Sequence, residues 1–312
     1  MNSKWLLIGL LGVLCNCLTP LLADDKENAF ILILGVAQDA GYPQAGCYKK
    51  HCMPGWKNPE LKRAATSLAV VDPSANKKYL FEATPQLPQQ LYHLETEAPS
   101  SRFELAGIFL THAHIGHYTG LMFLGHEAMS ASNIKVFAMP RMLKFLSTNG
   151  PWDQLVNFKN ISLVALNDQQ PQNLDAIKVT PFLVPHRKEY SETVGYRIEG
   201  PNKSALFIPD INKWRDWDKD IAEQVKSVDY AFIDATFYGD GELPGRDMSK
   251  IPHPFVTESI SALKTLTKEQ RSKVWFIHLN HTNPLLNTDS AESKFIRSEG
   301  YHIAVEGIKL PL

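Results

Sequence analysis

Four apolar runs in this chain end in residues that carry chemistry. GIFLTHAHIGH (107–117) ends in His112, His114 and His117, VTPFLVPH (179–186) in His186, ALFIPD (205–210) in Asp210, and VWFIHLNH (274–281) in His278 and His281. Rigid strand ends hold side chains in fixed directions, so this pattern favours a sheet-rich fold in which several strand ends supply one site. Each run alone has an ordinary reading. A single histidine after an apolar strand is usually an edge residue, and Asp210 before Ile211-Asn212-Lys213 could start a turn or cap a helix. The pair His112-x-His114 is harder to read that way, because it sets two imidazoles on one side of an extended segment, an arrangement suited to a divalent metal.

The rest of the chain alternates strand-like and helix-like patterns. Strands are expected at 30–36, 67–72, 79–83, 108–110, 134–139, 161–166, 177–184, 194–198, 205–208, 230–233 and 274–279. Helical spacing is expected at 118–129, 141–148, 214–225 and 256–266, which makes the class α/β with much sheet. With 312 residues, 44% of them hydrophobic, the chain can bury a large core. The formal net charge is −1, from 32 Lys and Arg against 33 Asp and Glu, and no basic run appears. No nucleic-acid partner is therefore expected, and the expected partner is a small-molecule substrate. The glycines at 35 and 41 lack the spacing of a nucleotide-binding loop, and no serine elbow is present.

The N-terminal residues differ in character from the remainder of the chain. Lys4 precedes an apolar run from Trp5 to Leu14, and Leu21-Leu22-Ala23 precedes Asp24-Asp25-Lys26. This is the pattern of a cleavable export signal at 1–23, followed by one domain at 24–312. The expected location is periplasmic or secreted, with no stable membrane anchor after cleavage. Of the four cysteines, Cys47 and Cys52 would remain, in AGCYKKHC beside His51. They read either as one disulfide in an oxidising compartment or as part of a zinc clip.

Taken in order, Thr111, His112, His114, Gly116, His117, His186, Asp210 and His278 resemble the signature of the metallo-β-lactamase superfamily, Thr-His-x-His-x-Asp-His followed by His, Asp and His. The segments ILGVAQDAGYPQAGC, FEATPQL, VPHR, GRDMSKIPHP and FIHLNHTNPLL narrow the resemblance to the branch that contains pyrroloquinoline-quinone biosynthesis protein B and the phosphonate-pathway cyclic phosphodiesterase. The resemblance implies a four-layer αβ/βα sandwich with a two-metal site. His112, His114 and His186 would hold one ion, His117 and His278 the other, with Asp210 between them. It also implies a metal-dependent hydrolase that uses a metal-bound hydroxide on a phosphodiester, ester or lactone, which the N-terminal signal would export. Zinc is the first expectation for one or two ions, with manganese or iron as alternatives. Two other functions stay open: a non-hydrolytic, iron-dependent oxidative role in cofactor biosynthesis, and a degenerate binding protein.

Gly116 departs from the signature, standing where the family carries an aspartate that binds the second metal. With His117, His278, Asp210 and a hydroxide, that site would keep enough ligands for a tetrahedral ion, bound more weakly. The same branch implies a structural zinc at Cys47, His51, Cys52 and His281. By resemblance, residues 82–87 and 237–257 form loops beside the metal mouth. Asp210 and His253 are the expected catalytic residues. Tyr190, Tyr238, Arg246 and Asp247 are weaker candidates, and His93, His126 and His302 read as surface residues.

Overall fold

The computed structural model describes residues 28–312; the expected export segment at 1–23 lies outside the described residues. β1 (Phe30–Gly35), β2 (Ser67–Asp72), β3 (Lys77–Phe81), β4 (Glu104–Phe109), β5 (Ile134–Ala138) and β6 (Ile161–Ala165) form one sheet in that order. β7 (Gln172–Leu174), β8 (Ile177–Leu183), β9 (Val194–Glu199), β10 (Ser204–Ile208), β11 (Tyr230–Asp234), β12 (Val274–Ile277) and β13 (His302–Ile303) form the second. β14 (Lys309–Pro311) returns to the first sheet, antiparallel to β1, with Ile31 opposite Leu310. From β3 to β6 and from β10 to β13 the strands run parallel; the other pairs are antiparallel.

Alternation along each strand builds the layers, because successive side chains point to opposite faces. In β1, Ile31 and Ile33 join the core between the sheets, while Leu32 and Leu34 face the outer helices. In β10, Ala205 and Phe207 face inward and Leu206 and Ile208 outward. The helices at Leu87–Glu97 and Pro140–Thr148 cover the first sheet through Leu87, Leu94, Met142 and Leu146. Those at Ile221–Lys226, Val256–Ala262 and Ala291–Ser298 cover the second through Val225, Val256 and Ile296. The result is the expected four-layer αβ/βα sandwich, with both sheets buried on both faces. Among the described residues no helix is long and apolar enough to cross a membrane.

Beneath the strand ends, Phe81, Phe109 and Phe137 stack with ring centroids 5.0 and 4.3 Å apart. Tyr196 packs edge-on against this stack from the second sheet, and its hydroxyl donates to the Leu110 carbonyl at 2.5 Å. Each such ring pair contributes about 0.5–1.5 kcal/mol beyond its buried area. The stack therefore fixes both sheets directly under residues 111–117. The ends of β4, β10, β11 and β12 open at this same edge, where an α/β sheet commonly presents a binding crevice.

Two expected helices differ. In place of a helix at 118–129, a short helical turn at Ile115–Tyr118 is followed by a 3-10 turn at Thr119–Leu124, and His126 lies in an exposed turn. The Gly120 N–H bonds to the Ala83 carbonyl at 2.9 Å, and a Cβ on Gly120 would stand 2.1 Å from the Thr84 oxygen. Close docking on that loop overrides the apolar spacing. The 214–225 segment divides into a 3-10 turn at Trp214–Asp216 and the helix at Ile221–Lys226. Asp220 caps the latter by accepting from the Ala222 N–H at 2.7 Å, which starts a new helix rather than continuing one.

Glu306 ties the chain between β13 and β14 to the loop before β2, accepting the Ala64 N–H at 2.6 Å. Burial raises its carboxyl from 4.5 to about 7, against the opposing effects of that hydrogen bond and Arg63. The folded protein thus holds this proton to higher pH than the unfolded chain does. Stability is lost as pH rises between those values, by on the order of 1–3 kcal/mol at completion. Glu306→Gln keeps the acceptor without the charge. Chemical denaturation should find it more stable than the parent at pH 8, with the gap closing at pH 5; a gap independent of pH would contradict this.

Candidate metal centre

The strand ends bring His112, His114, His117, His186, Asp210 and His278 together, all buried except His114, whose side chain is 18% exposed. His112 Nε2 and His114 Nδ1 are 2.8 Å apart, and His186 Nε2 is 3.4 Å from His114 Nδ1. Asp210 Oδ2 faces all three, at 3.3 Å from His112 Nε2, 3.2 Å from His186 Nε2 and 3.8 Å from His114 Nδ1. Their four donor atoms lie within 4.8 Å of one another. The same oxygen is 3.9 Å from His117 Nε2, so Asp210 stands between the two groups of histidines.

The opposite ring nitrogens are held in a repeated way. Thr111 Oγ1 donates to Glu82 Oε1 at 2.5 Å and lies 2.8 Å from His112 Nδ1. A hydroxyl has one proton to give, so it must accept from His112 Nδ1–H, which leaves the Nε2 lone pair facing the site. Thr236 Oγ1 does the same between Asp234 Oδ1 at 2.6 Å and His278 Nδ1 at 2.9 Å. His186 Nδ1 is 3.2 Å from Asn212 Oδ1, and His117 Nδ1 is 3.3 Å from Glu82 Oε1. Three imidazoles, those of His112, His186 and His278, are thereby aimed, Nε2 inward, by hydrogen-bonded neighbours that fix their tautomers, while Glu82 lies beside His117 Nδ1 as a charge.

Electrostatics follow this arrangement. Burial would raise Asp210, but the charges of His253 and His186 and the hydrogen bonds of His112 and His114 hold it well below the usual carboxylate range. Burial and the neighbouring charge of His117 push His112 well down. His117 goes the other way: burial lowers it, but Glu82 and Asp39 carry it well above its ordinary value. That part of the site favours positive charge. His253 sits one contact away, its Nδ1 2.8 Å from Asp234 Oδ2 and 3.2 Å from Asp210 Oδ1. Burial opposes its protonation, yet the two carboxylates raise it to about 9.

Whether these residues fit metal ions is decided by their unsatisfied atoms. Among the described residues, ten buried side-chain polar atoms have no hydrogen-bond partner, and six belong here: Asp39 Oδ1, His114 Nε2, both nitrogens of His117, Asp210 Oδ1 and His278 Nε2. A stranded buried polar atom costs about 1–3 kcal/mol, so such a concentration calls for a compensating ligand. Imidazole and carboxylate donors of this number suit one or two divalent ions. The backbone also carries strain here, since Asp39, Glu82 and His278 adopt φ of 31°, 80° and 66°.

Three residues that matter were not read from the sequence. Asp234 ends β11 as Asp210 follows β10, so the rule applied to the other strand ends would have flagged it. Glu82 belongs to a segment expected beside the metal mouth but is fully buried beneath the histidines. Asp39, in the loop after β1, places Oδ1 3.3 Å from His117 Nε2 and 3.9 Å from His278 Nε2. The weaker candidates lie apart. Tyr190 is 62% exposed, with its ring on Phe145. Asp247 caps a 3-10 turn through Ser249. Arg246 lines an open cavity of about 720 Å³ beside His51 and His281.

Cys47 and Cys52 stand with Cα atoms 6.0 Å apart, a spacing that a disulfide or a shared metal ion can span. His51 Nε2 lies 3.3 Å from Cys47 Sγ, and the donors of Cys47, His51, Cys52 and His281 all fall within 4.8 Å of one another. Burial lowers both imidazoles, which keeps them in the neutral form a metal requires.

Two seven-stranded sheets in a four-layer sandwich, with histidines and aspartates gathered at the strand ends, define a metal-binding α/β protein. Residues 72–279 match the Beta-lactamase superfamily domain, and the chain belongs to that family. It is 26% identical over 306 residues to coenzyme PQQ synthesis protein B of Methylobacterium sp. (strain 4-46), covering 90% of this chain and 99% of that one. The corresponding protein of Xanthomonas oryzae pv. oryzae (strain MAFF 311018) is 23% identical over 305 residues, with the same coverage. Among solved structures, Zn(2+)-bound PqqB from Methylobacterium extorquens superimposes with a TM-score of 0.74 at 24% identity, covering 91% of this chain and 100% of that one. A diphosphatase from the PhnP family gives 0.65 at 20% identity, covering 91% and 97%.

Proposed function

We propose that this chain is a metal-dependent hydrolase acting on a phosphodiester, ester or lactone. The observation that carries the reading is the convergence of histidine nitrogens and carboxylate oxygens within 4.8 Å of one another at the strand ends, several of them buried without a hydrogen-bond partner. Divalent cations held there, with zinc the first candidate, would supply Lewis acidity and bring the ionisation of a water toward neutral pH. The chain's own residues do the rest. Asp210 holds a charge between the two histidine groups. His253 is hydrogen-bonded at Nδ1 to Asp234 and so holds its imidazole 3.2 Å from Asp210 Oδ1, a favourable charge beside that carboxylate. Glu82, Thr111, Asp234 and Thr236 lock the imidazoles so that no reorientation is needed as charge develops.

Turnover of a panel of phosphodiesters, esters, lactones and β-lactams, with zinc, manganese or iron added back after chelation, tests this. Metal-dependent hydrolysis of any of them supports the reading, and inertness toward the whole panel contradicts it. A second reading, an iron-dependent oxidative step in making a quinone cofactor, is favoured by the full-length relatives named for coenzyme PQQ synthesis. Oxygen consumption that requires iron would support it instead.

We further infer export directed by residues 1–23, for which sequencing a mature N-terminus at Asp24 is the check. For the cysteines we infer a structural zinc, supported by the four-donor set. Thiol titration of unfolded, unreduced protein should find two free thiols; none would establish the disulfide.

A further inference from the structure

We propose that Asp39 supplies the carboxylate that Gly116 omits, completing a second cation site with His117 and His278. This rests on the reading of the strand ends as a metal centre and extends it to a ligand outside the family's signature.

The first support is a convergence of stranded atoms. Asp39 Oδ1, His117 Nε2 and His278 Nε2 are each buried without a hydrogen-bond partner, and they lie within 4.8 Å of one another. Glu82 Oε1 lies 3.3 Å from His117 on its Nδ1 side, and Thr236 is hydrogen-bonded to His278 Nδ1. Both Nε2 atoms are thus left to face a carboxylate oxygen across 3.3 and 3.9 Å. A cation between these three buried atoms would satisfy all of them at once.

The second support is steric. A Cβ on Gly116 would stand 2.3 Å from Asp39 Cα, 2.6 Å from its Oδ1 and 2.8 Å from its Cβ. An aspartate at 116 and the Asp39 loop cannot both occupy this place. The glycine is therefore the counterpart of Asp39: removing the side chain from the helix start admits a carboxylate from another part of the chain.

The third support is how the loop is held. The Gln38 N–H donates to the Leu279 carbonyl at 2.8 Å, and the Leu279 N–H donates to the Val36 carbonyl at 2.8 Å. The segment bearing Asp39 is stitched to the residue next to His278, so the two ligands share one backbone frame. Asp39 accepts φ of 31°, a conformation costly for a residue with a side chain, in reaching that position.

Zinc titration against a competing chelator, on the full chain and on Asp39→Asn, tests this. The parent is expected to bind one more zinc than the variant, or to hold its weaker active-site zinc at least about tenfold more tightly. Asp39→Glu should recover part of the difference. Comparing parent with variant cancels any zinc at the cysteines, and equal melting temperatures after chelation would show that the variant folds. If Asp39→Asn binds the same number of ions with unchanged affinity, the Asp39 assignment fails while the two-cation centre stands. If the parent binds fewer than two ions at the centre, the reading beneath the assignment fails and the assignment fails with it.

Discussion

Asparagine in place of Asp210 is expected to lower kcat/KM by on the order of 10³-fold or more and to release metal from the centre. Asp210 Oδ2 is 3.2–3.9 Å from nitrogens of His112, His114, His117 and His186. No other carboxylate among the described residues reaches both groups of donors. The amide keeps the shape and loses the charge, so two cations would lose the anion that stands between them in a site of low dielectric. His253, hydrogen-bonded at Nδ1 to Asp234, would also lose the Asp210 charge 3.2 Å away. Kinetics on a substrate found with the panel, together with metal analysis of the purified variant, check this. Activity within tenfold of the parent at full metal content would contradict it.

A single methyl group at Gly116 has the second large effect. Gly116→Ala is expected to cost about 2–3 kcal/mol of stability, because its Cβ meets the backbone of Asp39 rather than the end of a flexible side chain. Alanine is otherwise the better helix former, so in a tolerant setting the change would stabilise. The displaced loop would also carry Asp39 Oδ1 away from His117 and His278, weakening one zinc. Chemical denaturation and zinc titration measure the two effects, and a variant at least as stable as the parent would refute the steric account.

The main features of the fold could be read from the sequence because they depend on local patterns. Strands at 67–72, 134–139 and 177–184 announce themselves by apolar runs, and the structure places them at 67–72, 134–138 and 177–183. Six centre residues are read from strand ends because a strand end fixes its own side chain's direction. Asp39 and Glu82 follow another logic. Each sits in a loop, and its role depends on contacts set by distant chain: Asp39 through the pairing of residues 36–38 with Leu279, Glu82 through Thr111 and His117. Neither spacing nor composition reports such contacts. The expected helix at 118–129 fails for a related reason, since Gly120 docks on residues 83 and 84 and the tertiary contact outweighs local spacing.

Anomalous diffraction at the zinc edge, from crystals of the protein grown with zinc, tests most directly whether these strand ends and the Asp39 loop hold two cations side by side. Two peaks are predicted, one about 2 Å from nitrogens of His112, His114 and His186, the other about 2 Å from Asp39 Oδ1 and the Nε2 atoms of His117 and His278. The absence of zinc density at these histidines, with zinc present in the crystal, would contradict the account.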